Sequence, residues 1–289
     1  MRIAMLGTGL MGMPMALRLL GKGFELTVWN RTHAKTEAAR LAGALVARTA
    51  RDAVIGCDLA IVILENGPVV SEVLFETGVA DALSPQSVLI DMSSIPPSVA
   101  VEHAQKLATL GIRHLDAPVS GGPGGAETGS LAIMVGGDAE TYDNALPVLT
   151  VLGRPTHVGQ SGSGQLAKLC SQILSATAIE AVAEIFIFAK ASGIDPARVR
   201  EALQGGFADS NVLKVHGRKM LERDFQPGGH VRTFVKDLKA AGEIASGKGL
   251  NLPVMHLATS LFADFASNGG GEKDISALIL HAERLALSR

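Results

Sequence analysis

Cysteine is scarce in this chain. Of 289 residues only Cys57 and Cys170 carry a thiol, and they lie far apart. Neither belongs to a C-x-x-C pair or to a His-rich cluster, which argues against a disulfide framework and against a zinc site. No metal is expected, and a reduced, cytoplasmic setting is the default. Charge of one sign is also missing. Lys and Arg number 26 against 28 Asp and Glu, for a formal net charge of -2. That balance gives no electrostatic case for nucleic acid or an anionic membrane surface as partner. A basic, apolar leader with a cleavage site is not seen either, because MRIAMLGTG runs directly into a short strand pattern. The most apolar late stretch, Ile173 to Phe188, contains Glu180 and Glu184. It reads as a buried helix of a soluble protein, too short and too charged to span a bilayer.

What is present is a change of texture along the chain. The composition is 47% hydrophobic, and the length suffices for one large domain or two smaller ones with a sizeable core. Strand patterns fall at Arg2–Leu6, Glu25–Trp29, Asp58–Leu64, Val88–Asp91, Arg113–Asp116 and Leu131–Val135, each bounded by Gly, Pro, Asp or Ser. Helical segments such as Pro14–Leu20 and Ser98–Leu110 lie between them. Such alternation predicts βαβ units around a mostly parallel sheet covered on both faces. The turn-rich segment Gly159–Gly164 reads as a junction, after which strand patterns cease. Helices are predicted at about Gln165–Lys190, Asp195–Gln204, Asn211–Glu222, Val231–Lys248 and Pro253–Asn268. The expected organisation is an α/β dinucleotide-binding domain over residues 1–160, then an all-α domain over 161–289 that serves substrate binding and dimerisation.

The first strand leads into Gly7-Thr8-Gly9-Leu10-Met11-Gly12, a G-x-G-x-x-G run that opens a helix. In a Rossmann-type domain the glycines permit the tight turn, close backbone approach to a pyrophosphate, and close helix–strand packing. The helix N-terminus then offers free N–H groups and a positive dipole end to the phosphates. Gly7, Gly9, Leu10, Met11 and Gly12 are therefore candidate cofactor residues. With 33 glycines in the chain the pattern alone is weak, and its strand–loop–helix context gives it weight. At the end of the second strand an NAD site usually carries Asp or Glu for the ribose 2′-hydroxyl. Here the residues are Asn30-Arg31-Thr32. A guanidinium suits a 2′-phosphate, so NADP is expected, with NAD possible. Arg31 as a solvated turn residue is the alternative.

Four blocks then carry a resemblance. They are Gly7 to Ala16; Asp116-Ala117-Pro118-Val119-Ser120-Gly121-Gly122, continuing to Gly125-Ala126 and Met134-Val135-Gly136-Gly137; Gly162-Ser163-Gly164-Gln165-Leu166-Ala167-Lys168; and Lys236-Asp237-Leu238. A weaker echo is Asp274-Ile275-Ser276-Ala277. In this order, across nearly the whole chain, they resemble the β-hydroxyacid dehydrogenases, the group containing 3-hydroxyisobutyrate dehydrogenase and tartronate semialdehyde reductase. The resemblance implies an NADP-dependent oxidoreductase interconverting a small 3-hydroxy acid and its semialdehyde. Lys168 would be the acid–base group. Ser120, Gly121 and Gly122 would bind the substrate carboxylate, which suits a hydroxyl and backbone N–H groups in a glycine-rich concavity. Lys236 would lie near nicotinamide or substrate, and Leu64, Ser94 and Gly164 at the cofactor.

Lys168 fits the chemistry, because hydride transfer at an alcohol needs a partner for the hydroxyl proton. A lysine serves when burial or positive neighbours lower its pKa from about 10.4. Without the motif, Lys168 reads as a surface lysine, and Lys236 as half of a surface ion pair. Two departures from the family pattern stand out. Ser171 and Gln172 occupy positions where Asn is common; Gln172, on the same helix face as Lys168, is taken as the substrate-binding amide. Leu64-Glu65-Asn66 replaces the usual Leu-Pro-Asp. Competing readings are an imine reductase, against which the retained Lys168 argues, and a non-catalytic NADP-binding sensor. The chain is expected to form homodimers or homotetramers, because a helix apolar on most sides needs cover on most sides.

Overall fold

The computed structural model describes residues 1–287. Contacts divide the chain into two compact units, Met1–Lys168 and a second beginning at Leu169.

The first unit is built on one nine-stranded sheet. Its strands are β1 (Arg2–Leu6), β2 (Glu25–Trp29), β3 (Leu45–Val46), β4 (Leu59–Val62), β5 (Val88–Asp91), β6 (Arg113–Asp116), β7 (Val119–Ser120), β8 (Leu131–Gly137) and β9 (Gly153–Gly159). Six of them run parallel in the order β3-β2-β1-β4-β5-β6, the order of a dinucleotide-binding sheet. Beyond β6, β8 turns antiparallel and pairs in turn with β7 and β9. The central strands β4 and β5 are buried along their whole length. This is why they read as continuous apolar runs in the sequence. The covering helices are α1 (Gly12–Gly21), α2 (Glu37–Leu41), α3 (Ala50–Val54), α4 (Gly67–Ser71), α5 (Val79–Ala82), α6 (Pro97–Thr109), α7 (Gly122–Thr128) and α8 (Ala139–Leu152). Two separate apolar cores result. One is centred on Met5, Met15, Leu19 and Ile90, the other on Leu6, Val54, Leu74 and Leu89.

All six expected strands form. β4 is shorter than the expected Asp58–Leu64, and β8 runs two residues past Val135. Three further strands, β3, β7 and β9, were not expected from the sequence. β9 reads Gly-Arg-Pro-Thr-His-Val-Gly, alternates half-buried with exposed, and pairs with β8 alone. Pro155 is tolerated where a strand has one partner.

The second unit is all helical. Its spine is α9 (Ser163–Ala191), whose first six residues belong to the first unit. There follow α10 (Pro196–Leu203), α11 (Gly217–Glu222), α12 (Val231–Gly247), α13 (Pro253–Phe265) and α14 (Leu278–Leu287). The expected helix Asn211–Glu222 divides into a wide turn, Val212–His216, and α11. The expected Pro253–Asn268 ends at Phe265, because Asn268 and Gly269 leave helical geometry. Helix α14 was not expected from the sequence.

With 29 residues and an 18-residue window of mean hydropathy 1.6, α9 is long and apolar enough to cross a membrane by length and composition, which corrects the shorter sequence reading. One face of it packs into the apolar core of the second unit. Ala176, Ile179, Val182, Ala183 and Phe186 are buried with Phe234, Leu238 and Phe262, and the rings of Phe234 and Phe262 meet edge-on at 5.1 Å. Leu174 and Phe188, by contrast, are 71% and 73% exposed.

The weak echo at Asp274 proves to be a structural clamp. Its carboxylate accepts Lys219 Nζ at 2.9 Å, the Gly228 N–H at 2.7 Å and the Ser276 N–H at 3.0 Å. Burial raises the pKa of this carboxyl, but the nearby His216 and bonds from Ser276 and Gly228 hold it well below the usual range.

Candidate active site

Each glycine of the first loop has its own physical reason. Gly7 sits at φ +109°, and a Cβ there would collide with the Ile63 carbonyl oxygen. At Gly12 a Cβ would strike the carbonyl oxygen of Gly7. Around Gly9 nothing lies within 4 Å. Gly7 and Gly12 therefore close the turn against the sheet, while Gly9 presents bare backbone to open space. Helix α1 begins with no side-chain cap and no acidic residue in its first turn. Its leading N–H groups and dipole face the same opening, a cradle that fits a pyrophosphate. Leu10 is exposed and Met11 half-buried at the loop's edge.

Asn30 ties the end of β2 to this loop. Its Oδ1 accepts the Thr8 N–H at 3.1 Å, and its Nδ2 donates to the Thr32 carbonyl at 3.0 Å. The Thr8 hydroxyl donates to the Lys35 carbonyl at 2.9 Å. Arg31 and Thr32 are exposed. Sequence reasoning passed over Lys35, in the short helical turn His33–Thr36, which adds positive charge to the segment that follows Arg31. Nothing in this segment is acidic until Glu37, and that carboxylate is paired with Arg40 at 2.8 Å.

The loops after β4 and β5 are joined through Ser93. Its hydroxyl accepts the Leu64 N–H at 2.9 Å, and its own N–H donates to Asp91 Oδ1 at 2.9 Å. Ser94, the residue expected at the cofactor, follows and is half-buried. Asp91 is fully buried and stands opposite Asp116 in the β5–β6 register. Burial, reinforced by the neighbouring Asp116, pushes the Asp91 carboxyl up to about 7. Neither carboxylate had been singled out from the sequence, since they are neighbours only in the sheet.

Ser120 ends β7, paired opposite Ala132 of β8. Gly121 and Gly122 follow at φ +138° and +65°, conformations costly for any residue with a Cβ. Gly122 has no heavy atom within 4 Å of where a Cβ would stand. The backbone at Gly122 thus meets open space, as anion recognition requires, with half-buried Ser120 two residues before it.

Lys168 is half-buried and lies one turn after Gln165 on α9. The start of that helix is held by Asp116. Oδ1 accepts the Gly162 N–H at 2.7 Å, and Oδ2 accepts the Gln165 N–H at 2.9 Å. Gly164, expected to touch the cofactor, has a packing reason for lacking a Cβ, which would collide with the carbonyl oxygens of Asp116 and Met134. The first unit therefore holds the glycine loop, Leu64, Ser94, the Ser120-Gly121-Gly122 turn and Lys168.

Gln172 and Lys236 belong to the second unit, where Asp237 links them. Gln172 Nε2 donates to Asp237 Oδ2 at 2.9 Å, and Lys236 Nζ lies 3.3 Å from Asp237 Oδ1. Gln172 and Asp237 are both buried. The Gln172 amide nitrogen is thus spoken for by Asp237, whose place in the Lys236-Asp237-Leu238 block was the one signal available. Among the described residues no group of three or more His, Cys, Asp or Glu could hold a metal ion.

Residues 2–163 match the NAD-binding domain of 6-phosphogluconate dehydrogenase, and residues 162–282 match the NAD-binding domain of NADP-dependent 3-hydroxyisobutyrate dehydrogenase. The chain is 41% identical over 288 residues to the 2-hydroxy-3-oxopropionate reductase of Escherichia coli, covering 99% of this chain and 98% of that one. It is 33% identical over 286 residues to the NAD-dependent L-serine dehydrogenase of Pseudomonas aeruginosa, covering 96% of each. Among solved structures, 3-hydroxyisobutyrate dehydrogenase of Mycobacterium tuberculosis with L-serine superposes with a TM-score of 0.87 at 32% identity, covering 98% of this chain and 99% of that one. With both halves matched in order and the nucleotide cradle formed, the chain belongs to the β-hydroxyacid dehydrogenase family of NAD(P)-dependent oxidoreductases.

Proposed function

We propose that the protein interconverts a small 3-hydroxy acid and the corresponding semialdehyde with NADP(H), and that Lys168 is its acid–base group. The observation that carries this reading is the joining, within one compact unit, of a nucleotide cradle, an open Ser120-Gly121-Gly122 turn and Lys168 at the head of α9. The names of the relatives support the substrate class. 3-Hydroxyisobutyrate and L-serine both carry a hydroxyl on the carbon β to a carboxylate.

When bound, the dinucleotide accepts or supplies the hydride. The residues of the chain do the rest. Ser120 Oγ and the Gly121 and Gly122 N–H groups bind the carboxylate and fix the distance from it to the reacting carbon. In oxidation the Lys168 amine takes the hydroxyl proton as the hydride leaves the same carbon; in reduction the Lys168 ammonium returns it. In the second unit Asp237 accepts the Gln172 amide and pairs with Lys236, whose charge suits an anionic substrate. NADP is the preferred dinucleotide because Arg31, assisted by Lys35, is matched to a 2′-phosphate.

The test is nicotinamide absorbance at 340 nm with a panel of small 3-hydroxy acids and semialdehydes. Lys168→Ala should lower turnover by about 10²–10⁴, the usual worth of a positioned acid–base group, and leave NADPH binding nearly intact. Near-normal turnover of the folded variant removes Lys168 from the mechanism. A cytoplasmic homodimer or homotetramer belongs to the same reading. It is supported by Leu174 and Phe188, large apolar side chains of α9 that are 71% and 73% exposed and that a second copy of the chain would cover. Light scattering at micromolar concentration reads the assembly, and a fully active species of 30.0 kDa would exclude it.

A further inference from the structure

Asp116 and Gln165 are buried polar side chains in the middle of the first unit, at 0% and 1% exposure. Neither has a part in binding or proton transfer as described above, yet their side-chain hydrogen bonds bear on the start of α9. Asp116 ends β6, a strand of the rigid sheet. Its two carboxylate oxygens accept the N–H groups of Gly162 and Gln165, which the helix itself leaves unbonded. A negative charge at this end also complements the helix dipole. Burial raises the Asp116 pKa, while the bonds from Gly162, Gln165 and Gly164 oppose that rise.

The Gln165 side chain works in the other direction. Its Nε2 donates to the Ser93 carbonyl at 2.8 Å, and its Oε1 accepts the Ile95 N–H at 3.1 Å. Ser93 in turn holds the Leu64 N–H. One continuous set of bonds therefore runs from the loop after β4, through the loop after β5, to Gln165 and the first turn of α9. Room for it is made by two glycines. A Cβ at Gly136 would lie 2.6 Å from Asp116 Oδ1 and 2.7 Å from the Gly164 N, and Gly164 itself tolerates none. Gly136 and Gly164 are thus accounted for by Asp116, whereas Gly137 and Gly162 stand at positive φ against Leu115 and His114, and against Val101 and Pro97.

We propose that Asp116 and Gln165 are positioning residues for Lys168, which they hold in fixed rotation and height against the loops bearing Leu64 and Ser94. The inference rests on Lys168 being the acid–base group. It follows from geometry, because Lys168 is three residues beyond Gln165 on a rigid helix and inherits any twist or slide of the first turn. Proton transfer is sensitive to such shifts, and a misplacement of about 1 Å can cost about 10²-fold in rate.

The test is a pair of substitutions, each made in the wild-type chain and in Lys168→Ala. Asp116→Asn keeps the shape but removes the charge and turns an N–H donor toward one of the backbone N–H groups. Gln165→Met keeps the length and removes both side-chain bonds. Far-UV circular dichroism at the assay temperature establishes that each variant is folded. In the wild-type background each should lower kcat by about 10–10², with the NADPH Kd changed less than about threefold. In the Lys168→Ala background the same changes should cost nothing further, because no positioned amine remains to be misplaced. Losses that multiply with that of Lys168→Ala would show that the pair acts elsewhere and overturn the proposal. So would unchanged kcat in the folded variants. Should Asp116→Asn not fold, Gln165→Met decides alone. Near-normal turnover of Lys168→Ala by itself would remove the acid–base assignment, and the proposal with it, a failure distinguishable from the others because it appears in the single variant.

Discussion

Substituting the first two glycines of the nucleotide loop separates folding from binding. Gly7→Ala places a Cβ against the Ile63 carbonyl oxygen at a residue held at φ +109°. The backbone conformation costs about 1–3 kcal/mol for a residue with a side chain, and the overpacking about 1–3 kcal/mol more. The sum is about 2–6 kcal/mol, a large part of the roughly 5–15 kcal/mol that holds a native protein together. Thermal unfolding of the apoprotein, followed by circular dichroism, should show Tm lowered by about 5–20 °C. Gly9→Ala is the opposite case. Its Cβ has no neighbour within 4 Å and its φ lies outside the positive range, so the apoprotein Tm should stay within about 2 °C. The methyl group would stand where a pyrophosphate approaches the backbone, and NADPH binding, titrated by fluorescence, should weaken by about tenfold or more. Equal destabilisation of the two apoproteins would refute the division of roles. So would undiminished binding by Gly9→Ala.

Arg31→Ala should raise the NADPH Kd by about tenfold or more and leave the NADH Kd nearly unchanged, since only the former carries a 2′-phosphate for a charge-assisted bond. Titration of both cofactors against both proteins reads it, and equal losses would detach Arg31 from that phosphate. Asp91 sets a pH dependence of stability. Its folded pKa of about 7 lies above the ordinary carboxylate value, so the folded state retains a proton that the unfolded chain has lost. Stability from this group is present below about pH 4 and declines as pH rises toward 7, by at most about 1.4 kcal/mol per pH unit. Asp91→Asn should remove that decline and gain on the wild type between pH 4 and 7 in urea denaturation. A stability difference independent of pH would show that Asp91 is ionised throughout.

Local chemistry decided the part of this protein that the sequence reveals. An apolar five-residue strand followed by three correctly spaced glycines needs no distant partner, so β1, its loop and α1 are legible in residues 1–21. The buried parallel strands are legible for a related reason, since water excluded from both faces leaves a continuous apolar run. The blocks around Ser120, Lys168 and Lys236 are equally plain as strings of residues, which is how the family is recognisable before any fold is known. What the strings do not contain is the reason for their spacing. Asp91 and Asp116 are separated by a helix and become neighbours through strand register alone. Asp116 meets Gly162 and Gln165 across 46 and 49 residues of chain, and Gln172 meets Asp237 across 65. β9 was invisible because a polar, proline-containing segment becomes a strand only when β8 offers it a ladder to complete. Hydrogen bonds of this kind depend on distance and direction in space, to which sequence separation is no guide. The tertiary structure alone therefore turned four blocks of sequence into one cradle, one buried clamp on α9 and a separate Gln172–Asp237–Lys236 link.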